Sequence, residues 1–226
     1  MRNLFHGLVC AGCLAGAFAA YANNHEVWLK QSTEPELGGG FSLKLQQESK
    51  FNAERFYDSE QYFVLYYKVS DLIKLGPGYR FVRERPGGRG HFLNEHRPMA
   101  DLLLAVPEWQ TLKLGSRTRL EWRDRDEGQA YMRYRQRFAL ETSWKATEHE
   151  ISPYAQCEFF FDDKPGRGEG DVMNRTRSRV GFTLRPLPST WHGMGWDLYY
   201  QVQHDRCPHD DWYPTNVWGF DVKFDF

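Results

Sequence analysis

Histidine, serine and acidic side chains come close together in the chain at two places. His91 and His96 flank Glu95 in HFLNEH (91–96), and Ser189 precedes His192 in STWH (189–192). A hydroxyl beside an imidazole, with a carboxylate to orient it, is the equipment of acyl hydrolysis. His91, His96, Ser189 and His192 are therefore the candidates for a catalytic set, although neither stretch forms a nucleophile motif. A third stretch, HDRCPHDD (204–211), offers His204, Cys207, His209, Asp210 and Asp211. All are capable metal ligands, but their spacing matches no specific site. PGRGEG (165–170) is glycine-rich and lacks the terminal lysine of a phosphate loop, so it reads as an outer loop. Nothing in the sequence calls for a cofactor.

Arginine gives a stronger signal. In RTRLEWR (117–123), YMRYRQRF (131–138) and NRTRSRVGF (174–182) it recurs at every second position. Successive strand residues face opposite sides, so such spacing gathers charge on one face. Arg97, Arg117, Arg119, Arg123, Arg133, Arg135, Arg137, Arg175, Arg177 and Arg179 fall on that face. Asp101, Glu121, Glu141, Glu158, Asp197, Asp221 and Asp225 fall with them. Leu112, Leu114, Leu120, Trp122, Met132, Tyr134, Phe138 and Leu140 take the other. An enclosed charged face can pair into a network that props the wall. It can also leave a positive lining that binds or passes anions. Both readings stay open from sequence.

The elements that must hold these residues are strands. After residue 22 no apolar run approaches the ~20 residues of a membrane helix, and no stretch shows helical periodicity. Period-two segments recur instead, separated by Gly, Pro, Asp and Ser clusters. The last of them, VWGFDVKFDF (217–226), alternates to the end of the sequence and finishes on Phe226. Connections alternate between short ones, such as 69–72 and 106–110, and long polar ones, such as 47–58, 84–94, 162–173 and 204–214. Trp109, Trp144, Trp191 and Phe226 fall near the short turns, and Trp122, Phe159, Phe161, Trp212 and Trp218 toward the long connections. Two aromatic belts with loops of unequal length are the layout of an outer-membrane barrel. A soluble lipocalin-like barrel with the faces reversed shares the alternation but not the belts.

The fold expected is thus all-β, a transmembrane antiparallel up-and-down β-barrel of 10–12 strands. Eleven segments can be marked, and bacterial barrels have even counts. Either HEVWLKQST (25–33) lies outside the wall, leaving ten, or a short strand makes twelve.

The N-terminus is consistent with export to that location. Arg2 is followed by an apolar run from Leu4 to Ala19 and then by Ala20-Tyr21-Ala22, a small-x-small cleavage site before Asn23. Residues 1–22 are expected to leave as a signal peptide, and 23–226 to form the barrel. Cys10 and Cys13 would leave with it; Cys157 and Cys207 remain, and sequence does not settle whether they pair. Formal net charge is -1, which gives no nucleic-acid signal. The expected partners are outer-membrane lipid and the barrel insertion machinery, the latter reading the terminal strand that ends at Phe226. Oligomeric state is not indicated.

GYRF (78–81), RTRLEWR (117–123), YMRYRQRF (131–138), PYAQCEFFF (153–161) and NRTRSRVGF (174–182) occur in this order. The set resembles the bacterial outer-membrane barrels grouped as domain of unknown function 2490, over about residues 28–226. The resemblance implies a barrel in the outer membrane and brings no catalytic residues. Two functions follow as expectations: a non-catalytic barrel, structural or narrowly anion-preferring in a porin-like way, or a lipid-modifying barrel enzyme of phospholipase or lipid A acyl hydrolase type.

Overall fold

The computed structural model describes residues 25–52, 55–85, 90–146, 149–163, 173–186, 194–206 and 212–224. All described regular structure is strand: β1 (His25–Thr33), β2 (Glu36–Gly38), β3 (Phe41–Phe51), β4 (Phe56–Ser70), β5 (Ile73–Glu84), β6 (Leu93–Ala105) and β7 (Leu112–Arg125), followed by β8 (Tyr131–Thr142), β9 (Trp144–Ala146), β10 (His149–Asp163), β11 (Met173–Pro186), β12 (Met194–Arg206) and β13 (Trp212–Phe224). β2 and β9 are three-residue ribbons on β3 and β10. The other eleven form one sheet that closes on itself.

Closure runs through β1. It pairs antiparallel with β3, from Val27 opposite Phe51 to Thr33 opposite Leu45. On its other edge it pairs parallel with β13, from His25 opposite Asn216 to Thr33 opposite Phe224. Every other wall contact is antiparallel between sequence neighbours. The count is therefore eleven, between the two considered from sequence. HEVWLKQST is a wall strand, and the parallel seam is what allows an odd number.

The wall is inside-out relative to a water-soluble protein. Leu45, Phe63, Leu65, Leu120, Phe138, Leu140, Val180 and Phe182 are exposed, whereas Arg119, Glu121, Glu95, Asp101 and Asp221 are buried. The alternation is clearest in β4, where Asp58, Glu60, Tyr62, Val64 and Tyr66 are buried and Gln61, Phe63, Leu65 and Tyr67 are not. A charged interior with an apolar outer band is the arrangement of a barrel that crosses lipid. Trp109 and Trp144 are exposed near one rim, here the lower, where β13 ends; Trp122 and Trp212 are exposed toward the upper.

Two of the upper connections are shorter than the polarity of the sequence implied. Within 47–58, β3 runs to Phe51 and β4 resumes at Phe56; within 204–214, β12 runs to Arg206 and β13 begins at Trp212. In the first, Glu48, Lys50 and Asp58 are polar because they face inward from strands, not because they lie in a loop. That charge lines the upper half of the lumen.

Candidate functional site

At mid-height the lumen is crossed by a chain of ion pairs. Asp101 on β6 accepts hydrogen bonds from Arg119 Nη2 (2.7 Å), Tyr66 Oη (2.7 Å) and Tyr62 Oη (3.2 Å). Arg119 Nη1 lies 3.5 Å from Glu121, which accepts from Arg135 Nη1 at 2.6 Å. Arg135 and Arg117 then meet on Glu158 Oε1 at 2.9 and 2.8 Å. Arg119 and Glu121 are fully buried. The sequence places them there because β7 and β8 carry their charges in register: Arg119 stands opposite Arg135 and Glu121 opposite Arg133. Facing arginines would repel, so Arg119 turns to Asp101, its opposite partner on β6, while Arg135 reaches diagonally to Glu121 on β7 and Glu158 on β10.

Other sites on the inner face follow the same logic. Lys50 pairs with Glu60 and lies 3.3 Å from Asp58, and Glu60 also takes Arg80 at 2.8 Å. Glu95 gathers Arg97, Arg123 and Arg125. Arg133 pairs with Asp162, and Arg175 with Asp205. Near the seam, Asp221 accepts from Lys30 at 2.8 Å and Ser32 at 3.3 Å, while Asp197 lies 3.3 Å from Lys223. Glu141 lies on the same inner face, half-buried.

Of the ten inward arginines named from the sequence, three have no described carboxylate within ion-pair distance. Arg137 faces the lumen half-buried. Arg179 donates to Gln201 at 2.8 Å and lies over the Tyr199 ring. Arg177 donates to Gln203 at 2.6 Å and is flanked by the Trp28 and Phe160 rings at 5.0 and 4.8 Å.

Above the mid-height network lies a cavity of about 400 Å³, partly open to solvent. Its wall comes from the upper ends of the strands, and ten Lys and Arg side chains face six Asp and Glu side chains across it. The volume falls in the range of small-molecule sites.

The described histidine candidates do not come together. Glu95 points inward and is buried, whereas His96, one residue on, points outward to the Tyr79 hydroxyl and the Phe81 ring. A one-residue step along a strand necessarily separates them, so Glu95 does not orient His96. His91 is exposed, 3.5 Å from Glu127. His204 is half-buried on β12, and among the described residues no three His, Cys, Asp or Glu gather to hold a metal. Cys157 is free. Ser189, His192, Cys207, His209, Asp210, Asp211, Asp225 and Phe226 lie outside the described residues.

Sequence reasoning missed Lys30, Lys50, Asp58, Glu60, Arg80 and Asp162 as lumen residues. The signal for two of them was present in YDSEQYFVLY (57–66), where Asp58 and Glu60 keep step with Tyr62, Val64 and Tyr66. Taking 47–58 as a long polar connection hid it.

Comparison with known proteins adds a family and a fold. The family described as "Protein of unknown function (DUF2490)" matches residues 25–213. Among solved structures, LpxR from Salmonella typhimurium is similar at a TM-score of 0.51 and 13% identity, over 97% of this chain and 95% of that one. At that identity the likeness concerns the fold. No curated protein matches.

Proposed function

The chain belongs to the DUF2490 family, and from that premise we propose that it is a non-catalytic outer-membrane barrel with a closed bore, a blind cup whose working surface is the upper cavity. The observation that carries this reading is the complete burial of Arg119 and Glu121 at mid-height, with Gln201, Tyr199 and Asp221 almost equally inaccessible. Charged side chains that no solvent reaches from either end fill a bore rather than line a channel. A barrel of about this strand number has an interior just wide enough for side chains to occupy.

Residence in the outer membrane is supported by the apolar outer band and the aromatic side chains near both rims. Export after loss of residues 1–22, and recognition of the strand ending at Phe226 by the insertion machinery, belong to the same proposal. The test is conductance: the protein refolded into a planar bilayer is expected to pass no ions above the bare membrane. Stable unitary steps in the unmodified protein would replace the cup with a pore.

A further inference from the structure

We infer that the upper cavity is a binding site for a phosphoryl group, and that Arg177 is the residue that recognises it. The inference rests on the blind-cup reading and names the ligand class of that cup.

The argument starts from Phe160, whose ring is 1% exposed in the floor of the cavity. Four guanidinium carbons surround its centroid: Arg135 at 4.6 Å, Arg177 at 4.8 Å, Arg133 at 5.5 Å and Arg175 at 5.8 Å. A ring face attracts a cation, but four like charges about one ring repel each other unless anions intervene. Three are matched: Arg135 by Glu121 and Glu158, Arg133 by Asp162, Arg175 by Asp205. Arg177 is not. The carboxylate facing it in the ladder, Glu158, already holds Arg117 and Arg135 through one oxygen. Carboxylates behind the lining, Glu95 and Glu121 among them, offset part of the positive excess of the wall, but none reaches Arg177.

Arg177 is also held in place. Trp28 on β1 and Phe160 on β10 lie against its guanidinium, and Nε is fixed by Gln203. Among the described residues this leaves the Nη edge with no hydrogen-bond acceptor, in a half-buried position on the cavity wall. A stacked guanidinium with a free two-nitrogen edge matches the oxygen spacing of a phosphate. Arg80 and Arg97, on the same wall, each keep a buried Nε with no partner. The cavity has room for more than the phosphate itself, so a phosphate monoester of a small polar molecule fits as well as the free ion.

The same chemistry is available from free phosphate and from a lipid headgroup, and titration separates them. Full-length barrel in a phosphate-free detergent is titrated calorimetrically with inorganic phosphate; in parallel, barrel in nanodiscs is compared with and without phosphatidate for protection of Arg177 from a guanidine-modifying reagent. Saturable phosphate binding is expected in the first arm, roughly tenfold weaker in Arg177→Gln, the loss of one charge-assisted contact, and unchanged in Arg185→Gln at the lower end. Protection by phosphatidate without any response to inorganic phosphate would assign the group to a lipid and keep the inference. No response in either arm, or equal phosphate affinity in Arg177→Gln, would overturn it. Arg177→Lys, which retains charge without the planar edge, is the second variant if Arg177→Gln does not refold; it is expected to weaken binding too, and unchanged affinity in it counts against the inference. Ion flux through the unmodified protein, with Arg177-dependent phosphate binding intact, would remove the blind cup and leave this site standing.

Discussion

The Tyr199 ring lies across Gly219. The two residues stand opposite each other on β12 and β13, and a Cβ at 219 would come within 1.8 Å of the ring. Tyr199 is 1% exposed. Gly219→Ala is therefore expected to lower stability by about 1–3 kcal/mol, the usual cost of overpacking. Gly195→Ala, whose nearest neighbour would be 3.5 Å away, should change little. Urea midpoints of the two variants in detergent micelles make the comparison, and equal midpoints would remove the steric claim.

Arg119→Ala leaves Asp101 and Glu121 buried without their shared cation, and should cost about 3–5 kcal/mol. Replacing both members of this ion pair, Arg119→Met with Asp101→Leu, should cost less than the single change, because Asp101 is no longer stranded and Glu121 keeps Arg135. Loss of heat-modifiable migration on a gel, followed against urea, reads both. If the double variant proves the weaker of the two, the pair itself is stabilising rather than merely compensated.

The closed bore makes a prediction of opposite sign. Arg119→Ala combined with Arg135→Ala removes two large side chains from the mid-height plug and widens the lumen there. Unitary conductance is expected in this variant and not in the parent, with anions favoured by the remaining positive lining. A silent double variant that still migrates as a folded barrel would mean that other side chains close the bore.

Asp221 ties the seam. It takes Lys30 and Ser32 of β1 from its place on β13. Asp221→Ala should make amide exchange in residues 27–33 faster by about 2 kcal/mol of local opening, with β5–β8 unchanged. Uniform acceleration around the whole wall would show that the seam has no separate stability.

Deleting Phe226 tests the proposed recognition of the C-terminal strand. The yield of folded barrel in cells should drop while refolding into detergent stays as before. Equal yields in cells would detach that residue from insertion.

How much of this was legible in the sequence depended on whether a strand had a polar neighbour to echo it. RTRLEWR and YMRYRQRF declare their inward face by arginine at alternate positions, and the structure puts Arg119 and Arg135 in contact with Asp101, Glu121 and Glu158. β1 gave no such sign: it has few charges, and its partner β13 lies about 190 positions away, a pairing that no local pattern encodes. Part of the upper lumen was taken for loop at 47–58, since Lys50 and Asp58 are charged residues at the facing ends of β3 and β4. Contacts such as Arg177 between Trp28 and Phe160 join β11 with β1 and β10. Spacing along one strand could place Arg177 on the inner face, but not say which carboxylate would be taken by another arginine first.

The parallel seam also governs how the chain can be rewired. In a barrel of antiparallel hairpins the first and last strands end at one rim, and a short turn can join them. Here His25 and Phe224 lie at opposite rims, eight residue steps apart along the seam, a climb of roughly 26 Å at ~3.3 Å per residue. A circular permutant would need a bridge of about ten extended residues or more, laid along the outside of the wall or threaded through the lumen. The chain is thus a ring in its hydrogen bonding and a one-way spiral in its covalent path.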